Sequence, residues 1–442
     1  MANFLNELAA FAVAPLSAAE TALKVTRLSA LDWVAVGRAG ADEPVAKIVR
    51  EMVLSEGGVP QASLFGSDGR VPARAAAMAN GATSHALDYD DTHFAHIGHP
   101  SVAVFPAALA IGETLQASLR DVLEAALVGM ELSIRVGVWL GRPHYQSGFH
   151  QTGTAGAFGA TAAAGRLLGL NEEQMRHALA VAATRASGLK AQFGTMGKPY
   201  NAGIAASNGV ECAQLASRGF LSNPDSLDGP FGFAATHQGT SEETAALAGL
   251  GQEWLFEDVL HKFHACCHGL HAVLEAAREI DVAEPEIAEM TAYTHPRWMT
   301  VCNQLFPDTG LGAKFSFRTV LAMSALGKDT GALDAYSEQV CAMPQLRALR
   351  ERIEVHEDAD LSETAARLVV LRRDGNRLEA ENDLMDLMPM STREIRLRDK
   401  ATTLIGAELS ASLWSVLNGS GTARDLSDYV RNASASAKPD FV

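Results

Sequence analysis

Aromatic residues make up only 6% of this 442-residue chain, and it holds five cysteines, no basic run and no long apolar run. Each scarcity excludes something. With few aromatics and 38 glycines, the core has to be built from small aliphatic side chains and closely approaching helices. The cysteines are Cys212, Cys266, Cys267, Cys302 and Cys341. Their number is odd and their spacing irregular, which argues against a disulfide framework and for reduced thiols in the cytoplasm. No apolar stretch reaches the roughly 18–20 residues of a membrane span. The opening "MANFLNELAAFAV" carries Glu7 within its apolar run and reads as an amphipathic helix, not a leader. Basic and acidic residues number 36 and 52, for a net charge of −16, so nucleic acid is not an expected partner. An acidic chain that takes an acidic substrate needs a locally basic pocket.

What is present is mostly helical pattern. From Asn3 to about Leu270, helix follows helix. "SLRDVLEAALVGMELSIRVGVWLG" has apolar residues at three- and four-residue steps, with Ser118 as N-cap. "NEEQMRHALAVAATRASG" opens on Asn171 as cap and stops by Gly188. Between them "GFHQTGTAGAFGATAAAGRLLG" is too rich in Gly and Ala for a surface helix and reads as a central one. The character changes after about Ala283. "EIAEMTAYTH", "RIEVHED" and "ARLVVLRRDGNRLEA" read as strands, the last as a hairpin, with "AKFSFRTVLAMSALG" a helix among them. The expected fold is therefore mainly α. It has a large all-α domain over 1–271, completed by the C-terminal helix in 401–442, and a smaller α+β domain over 272–400. The end "NASASAKPD" reads as frayed.

Chemistry concentrates in "HALDYDDTHFAHIGHPS", His85 to Ser101, with four histidines and three aspartates. A metal cage of His93, His96 and His99 with Asp88, Asp90 and Asp91 is one reading. Gly98 and Pro100 break the helix that would align them, and the usual zinc-helix spacing is absent. A capped helix terminus is a second reading. An active-site loop is the third, and it needs matching groups elsewhere. "GRPHYQSGFHQTGT" supplies His144, Tyr145 and His150 before a Gly-rich helix start, where backbone N–H groups favour an anion. "FGTMGKPYNAGIAASNG" puts Lys198 in an apolar, backbone-rich setting that can desolvate an amine into a usable base. "HKFHACCHGLH" adds Lys262, His264, His268 and His271. Its adjacent Cys266 and Cys267 lack the usual zinc spacing and read as small buried hydrophobes. Together these groups make the basic pocket that an anionic substrate requires.

In combination, "HALDYDDTH…HPS", "PAALAIGE", "GFHQTGTAGAFGA", "MGKP…AGIAASNGV…SRGF" and "K…CC…H" resemble the MmgE/PrpD family. That family includes 2-methylcitrate dehydratase, cis-aconitate decarboxylase and iminodisuccinate epimerase. The resemblance implies a helical domain with a smaller α+β lid domain, a homodimer, no metal or organic cofactor, and a polycarboxylate substrate. It carries substrate-binding roles to Asp88, Thr92, His99, His150 and Lys262. Two positions depart from decarboxylase-like members: Cys267 stands where they have a histidine and Thr319 where they have a tyrosine. With those acids missing, Tyr145 and Lys198 are left as the acid/base pair. Among the family's activities the resemblance implies a two-base, cofactor-independent epimerisation of iminodisuccinate. The alternative is a dehydratase or decarboxylase acting on a tricarboxylate.

Overall fold

The computed structural model describes residues 4–280, 283–386 and 388–431; the tail "NASASAKPD" lies outside them. The chain divides into two compact units, one ending at His261 and resuming at Ile405, the other Lys262–Leu404. Residues 262–271 and 401–404, expected in the first, thus fall in the second. The reason for the former is local. Ala265 N–H donates to Thr330 O at 2.8 Å and Cys267 N–H to Lys314 O at 3.0 Å, stitching this stretch to the second unit.

The first unit is built on α1 (Phe4–Val13), α2 (Glu20–Ala39), α3 (Pro44–Glu56), α4 (Ala73–Ser84), α5 (Ser101–Leu115), α6 (Leu119–Gln146), α7 (Gln151–Leu167), α8 (Glu172–Arg185) and α9 (Gly197–Ser217). It is not purely helical, as the sequence suggested. A short antiparallel hairpin, β1 (Ala62–Leu64) and β2 (Ser67–Val71), joins α3 to α4. Its strands are too brief for a period-2 pattern to stand out. The N-caps are the expected ones. Ser118 accepts from Asp121 N–H, and Asn171 forms a capping box with Gln174.

The Gly/Ala-rich α7 is the central helix. Every residue from Gln151 to Gly165 is buried, and α5, α6 and α9 pack around it. Small residues set these spacings. A Cβ on Gly203 of α9 would lie 2.3 Å from the Met78 carbonyl oxygen of α4, so the two helices meet at their present distance only with glycine there.

The second unit holds a four-stranded sheet of β3 (Ile287–Thr294), β4 (Ile353–Glu357), β5 (Ala365–Arg372) and β6 (Arg377–Asp383), in the order β4-β3-β5-β6. The expected hairpin is β5–β6, closed by Arg372 N–H to Asn376 O at 2.8 Å. The pairing of β3 with β4 is parallel, which strand patterns alone do not reveal. Helices His271–Ile280 and Phe317–Ala325 pack on this sheet.

Candidate active site

In the first unit, three helix starts converge on one loop. α4 ends at Ser84, and the chain then runs through His85–Pro100 to the start of α5. His150 is the residue before α7, and Lys198 lies in the first turn of α9. The loop is tightly folded. Thr92 bridges to Leu260, and His93 pairs with Gly98. Asp88 (φ 51°) and Ile97 (φ 52°) both adopt left-handed backbone. Aspartate tolerates that conformation, but a β-branched isoleucine is strained there, as found where the surroundings dictate the geometry.

The loop places four titratable side chains in a row. His85 Nδ1 lies 2.8 Å from Asp90 Oδ1, and His99 Nδ1 lies 2.8 Å from Asp90 Oδ2. His99 Nε2 is 3.6 Å from Asp88 Oδ1, and Lys198 Nζ is 2.7 Å from Asp88 Oδ2. Asp90 is buried, and burial by itself opposes its charge. The charges and hydrogen bonds of His85 and His99 outweigh that and hold its carboxyl well below the usual range. Asp90 is therefore a fixed anion that orients His99 through Nδ1. The imidazole's other nitrogen, Nε2, is turned toward Asp88. Lys198 is not the lone desolvated amine its neighbours suggested. It is one half of an ion pair.

His150 completes the cluster. Asn201 Nδ2 lies 3.1 Å from His150 Nδ1 and 3.4 Å from the Leu189 carbonyl. Asn201 follows Lys198 by three residues and so shares its helix face. The carbonyl can only accept, so Asn201 presents its NH2 to both, and His150 Nδ1 accepts. The ring proton then sits on Nε2. Burial, followed by the Lys198, His85 and His99 charges, pushes the His150 pKa well below its ordinary value. His150 is thus a neutral N–H donor. Phe193 stacks edge-on against it at 4.9 Å, and Lys198 Nζ lies 5.4 Å from the same phenyl ring.

The other histidines of the loop are pegs. His93 Nε2 bonds the Leu255 carbonyl at 2.8 Å, and His96 Nε2 bonds Ser133 Oγ at 3.0 Å. Burial lowers both, His96 to about 3. The cage reading of His93, His96 and His99 is not met, because the three rings address different partners. His144 is also spent, between the His237 carbonyl at 2.6 Å and Thr154 Oγ1 at 2.9 Å.

The structure thus brings Asp88, His99, His150 and Lys198 together. Thr92 sits in the same loop, half-buried. Tyr145 lies past the Gly141 kink of α6, with the Lys190 ammonium 3.9 Å over its ring. Lys262 belongs to the second unit, where it is 2% exposed and its charge acts on Cys266, Cys302 and His271. Sequence reasoning weighed Asp90 only as a metal ligand or helix cap, His85 only as part of a capped helix terminus, and Asn201 not at all. The three-residue step from Lys198 to Asn201 was the available signal for the last.

Ligand-capable atoms of His85, Asp88, Asp90 and His99 all lie within 4.8 Å of one another. The donor set does not fit an ion well. Both imidazoles already direct Nδ1 at Asp90, and the Lys198 ammonium already supplies positive charge at Asp88.

Comparison with known proteins supplies the family. Residues 6–245 match the MmgE/PrpD N-terminal domain and residues 264–410 the MmgE/PrpD C-terminal domain. The chain is 31% identical to cis-aconitate decarboxylase of Mus musculus over 75% of its length and 70% of the relative's. It is 28% identical to cis-aconitate decarboxylase of Aspergillus terreus over 79% of its length and 75% of the relative's. The Homo sapiens cis-aconitate decarboxylase is 31% identical over 66% of this chain and 63% of that one. These relatives carry out a lyase reaction, which turns the functional reading away from the epimerisation expected from the sequence.

Proposed function

The chain belongs to the MmgE/PrpD family, and on that premise we propose that it is a lyase of small tricarboxylates, with decarboxylation of a cis-aconitate-like substrate as the first candidate. The observation that carries this is the row Asp90–His99–Asp88–Lys198 at three converging helix starts. Helix N-termini offer backbone N–H groups and partial positive charge to carboxylates. His150 Nε2–H adds a neutral donor, and Lys198 a cation. Loss of CO2 leaves its electron pair on carbon, as a carbanion delocalised into a neighbouring carboxylate. That charge needs donors aimed at it, each worth on the order of 3–4 kcal/mol of barrier. It then needs a proton. His99 Nε2, backed by the fixed Asp90 anion, or the Lys198 ammonium would deliver it. Dehydration of a 2-hydroxy tricarboxylate would use the same groups in the other sense, first taking a carbon-bound proton and then protonating the departing hydroxide. Lys262 remains a proposed carboxylate contact, and Tyr145 a proposed acid, on the resemblance.

A second reading keeps the epimerase. Its support is the resemblance, which sets Thr319 and Cys267 against a tyrosine and a histidine of decarboxylase-like members, together with the buried Thr319 hydroxyl donating to Ser316 Oγ at 2.9 Å. An epimerase needs no acid for a leaving group. NMR in D2O with cis-aconitate, 2-methylcitrate and iminodisuccinate separates the readings. CO2 release from cis-aconitate, or an alkene from 2-methylcitrate, is the expected outcome. Deuterium entering iminodisuccinate with no loss of CO2 or water, and no turnover of the tricarboxylates, would replace the lyase by the epimerase.

A further inference from the structure

The proton-transfer cluster makes no use of cysteine, yet three of the five cysteines lie together in the second unit. Cys267 donates its backbone N–H to Lys314 O at 3.0 Å, and the Cys302 carbonyl accepts from Phe317 N–H at 3.2 Å. Both residues therefore flank the same short segment, Lys314–Phe317. Their thiols hydrogen-bond to each other. Their access differs. Cys302 is fully buried, whereas Cys267 alone among the five is half-exposed. Cys267 also precedes the turn His268–Leu270 that leads directly into helix His271–Ile280. Lys262 adds positive potential to the cluster, since its charge acts on the neighbouring Cys266 and Cys302 thiols.

We propose that Cys267 and Cys302 form a reversible intramolecular disulfide when the protein meets a hydroperoxide. The Cys267 thiolate attacks the distal peroxide oxygen and breaks the O–O bond. This gives Cys267 sulfenic acid and releases an alkoxide, or hydroxide, that takes up a proton. The Cys302 sulfur then attacks the sulfenic sulfur, forming the S–S bond and expelling water. Two thiols are oxidised by two electrons in all, and one peroxide bond is reduced. The hydrogen bond to Cys267 is the chief cause, ahead of burial, that keeps the Cys302 thiol protonated. Oxidation of Cys267 places an electrophilic sulfur beside the Cys302 thiol, whose proton leaves with the departing oxygen as the S–S bond forms. Cys266 is unsuited to the attacking role, because burial first of all pushes its thiol up to about 12.

The test is covalent and needs no substrate, so it stands apart from the proposed lyase activity. The folded full-length protein is treated with hydrogen peroxide, blocked with an alkylating agent, digested and mapped by mass spectrometry. The expected result is a Cys267–Cys302 cross-linked peptide, a free-thiol count lower by two, and full recovery with dithiothreitol. In Cys302→Ser, dimedone should instead trap Cys267 as the sulfenic acid; if that variant does not fold, the parent map decides alone. An unchanged thiol count under peroxide that oxidises an unstructured cysteine peptide would overturn the proposal. So would a bond that joins Cys266 to Cys267, or one that forms only between chains.

Discussion

Lys198 and Asp90 hold opposite ends of one row, and their loss should be felt differently. Lys198→Met removes a cation and a proton carrier, and should lower kcat roughly 10²–10⁴-fold in a folded protein. Asp90→Asn keeps the shape but removes the anion that orients His99. It should lower kcat with little change in KM and move the pH profile of kcat. Near-parent kinetics in both variants would sink the row as the site of chemistry. Chelation should leave activity intact, since Lys198 already occupies the cationic place beside Asp88; loss of activity restored by one divalent ion would revive a metal at His85, Asp88, Asp90 and His99. A neighbour gives a stability test. Burial raises the Asp91 carboxyl from 3.8 to about 7, against the two hydrogen bonds from Ser101. The folded state thus holds a proton that the unfolded chain releases near 3.8. The contribution is full below that value and is lost as pH rises through about 7. Asp91→Asn cannot ionise, so its stability relative to the parent should rise between about pH 4 and pH 8 in denaturant titrations. The sequence pointed to Asp88, His99, His150 and Lys198, which the fold brings together. It did not reveal that Asp90 pairs with both His85 and His99, or that Asn201 bonds His150, because those residues address other side chains.

At the scale of elements, the site depends on how closely helices approach. Asp88 follows α4, and Lys198 and Asn201 sit on α9. The contact between the two helices runs through Gly203, where a Cβ would strike the Met78 carbonyl. Gly203→Ala must push backbone, since the obstructing atom is not the end of a flexible side chain. The expected cost is about 1–3 kcal/mol of stability, seen as a lower Tm, together with a loss of activity larger than the unfolded fraction accounts for. An unchanged Tm would mean that α4 and α9 slide freely, and with them the Asp88–Lys198 pair. Much at this scale was legible. The caps at Ser118 and Asn171, the buried character of α7 and the β5–β6 hairpin all follow from local pattern. The β1–β2 hairpin and the parallel β3–β4 pairing were not, because three- to five-residue strands carry little periodicity and pairing is a long-range choice.

For the whole molecule, sequence pattern made a mainly helical fold readable, whereas the cluster that forms is not simply basic, since Asp88 and Asp90 stand beside Lys198, His85 and His99. No helix among the described residues is long and apolar enough to cross a membrane. Composition did not place the unit boundary, because the backbone hydrogen bonds of Ala265 and Cys267 to Thr330 and Lys314 decide it. The homodimer implied by the resemblance is the proposal that remains at this scale. The chain following α9 leaves Phe220, Leu221 and Phe231 exposed at 45%, 73% and 92%. Single exposed apolar residues are ordinary, but three large ones within a short stretch are a costly surface for a lone chain. Sedimentation equilibrium should therefore give twice the chain mass of 46.8 kDa. Replacing Leu221 and Phe231 together by glutamate adds two negative charges per chain to a protein already strongly acidic. If this stretch lies in the interface, the double variant should shift the equilibrium toward monomer while circular dichroism stays unchanged. A parent protein that sediments as a monomer at micromolar concentration would remove the dimer. A dimer untouched by the double variant would move its interface to another face.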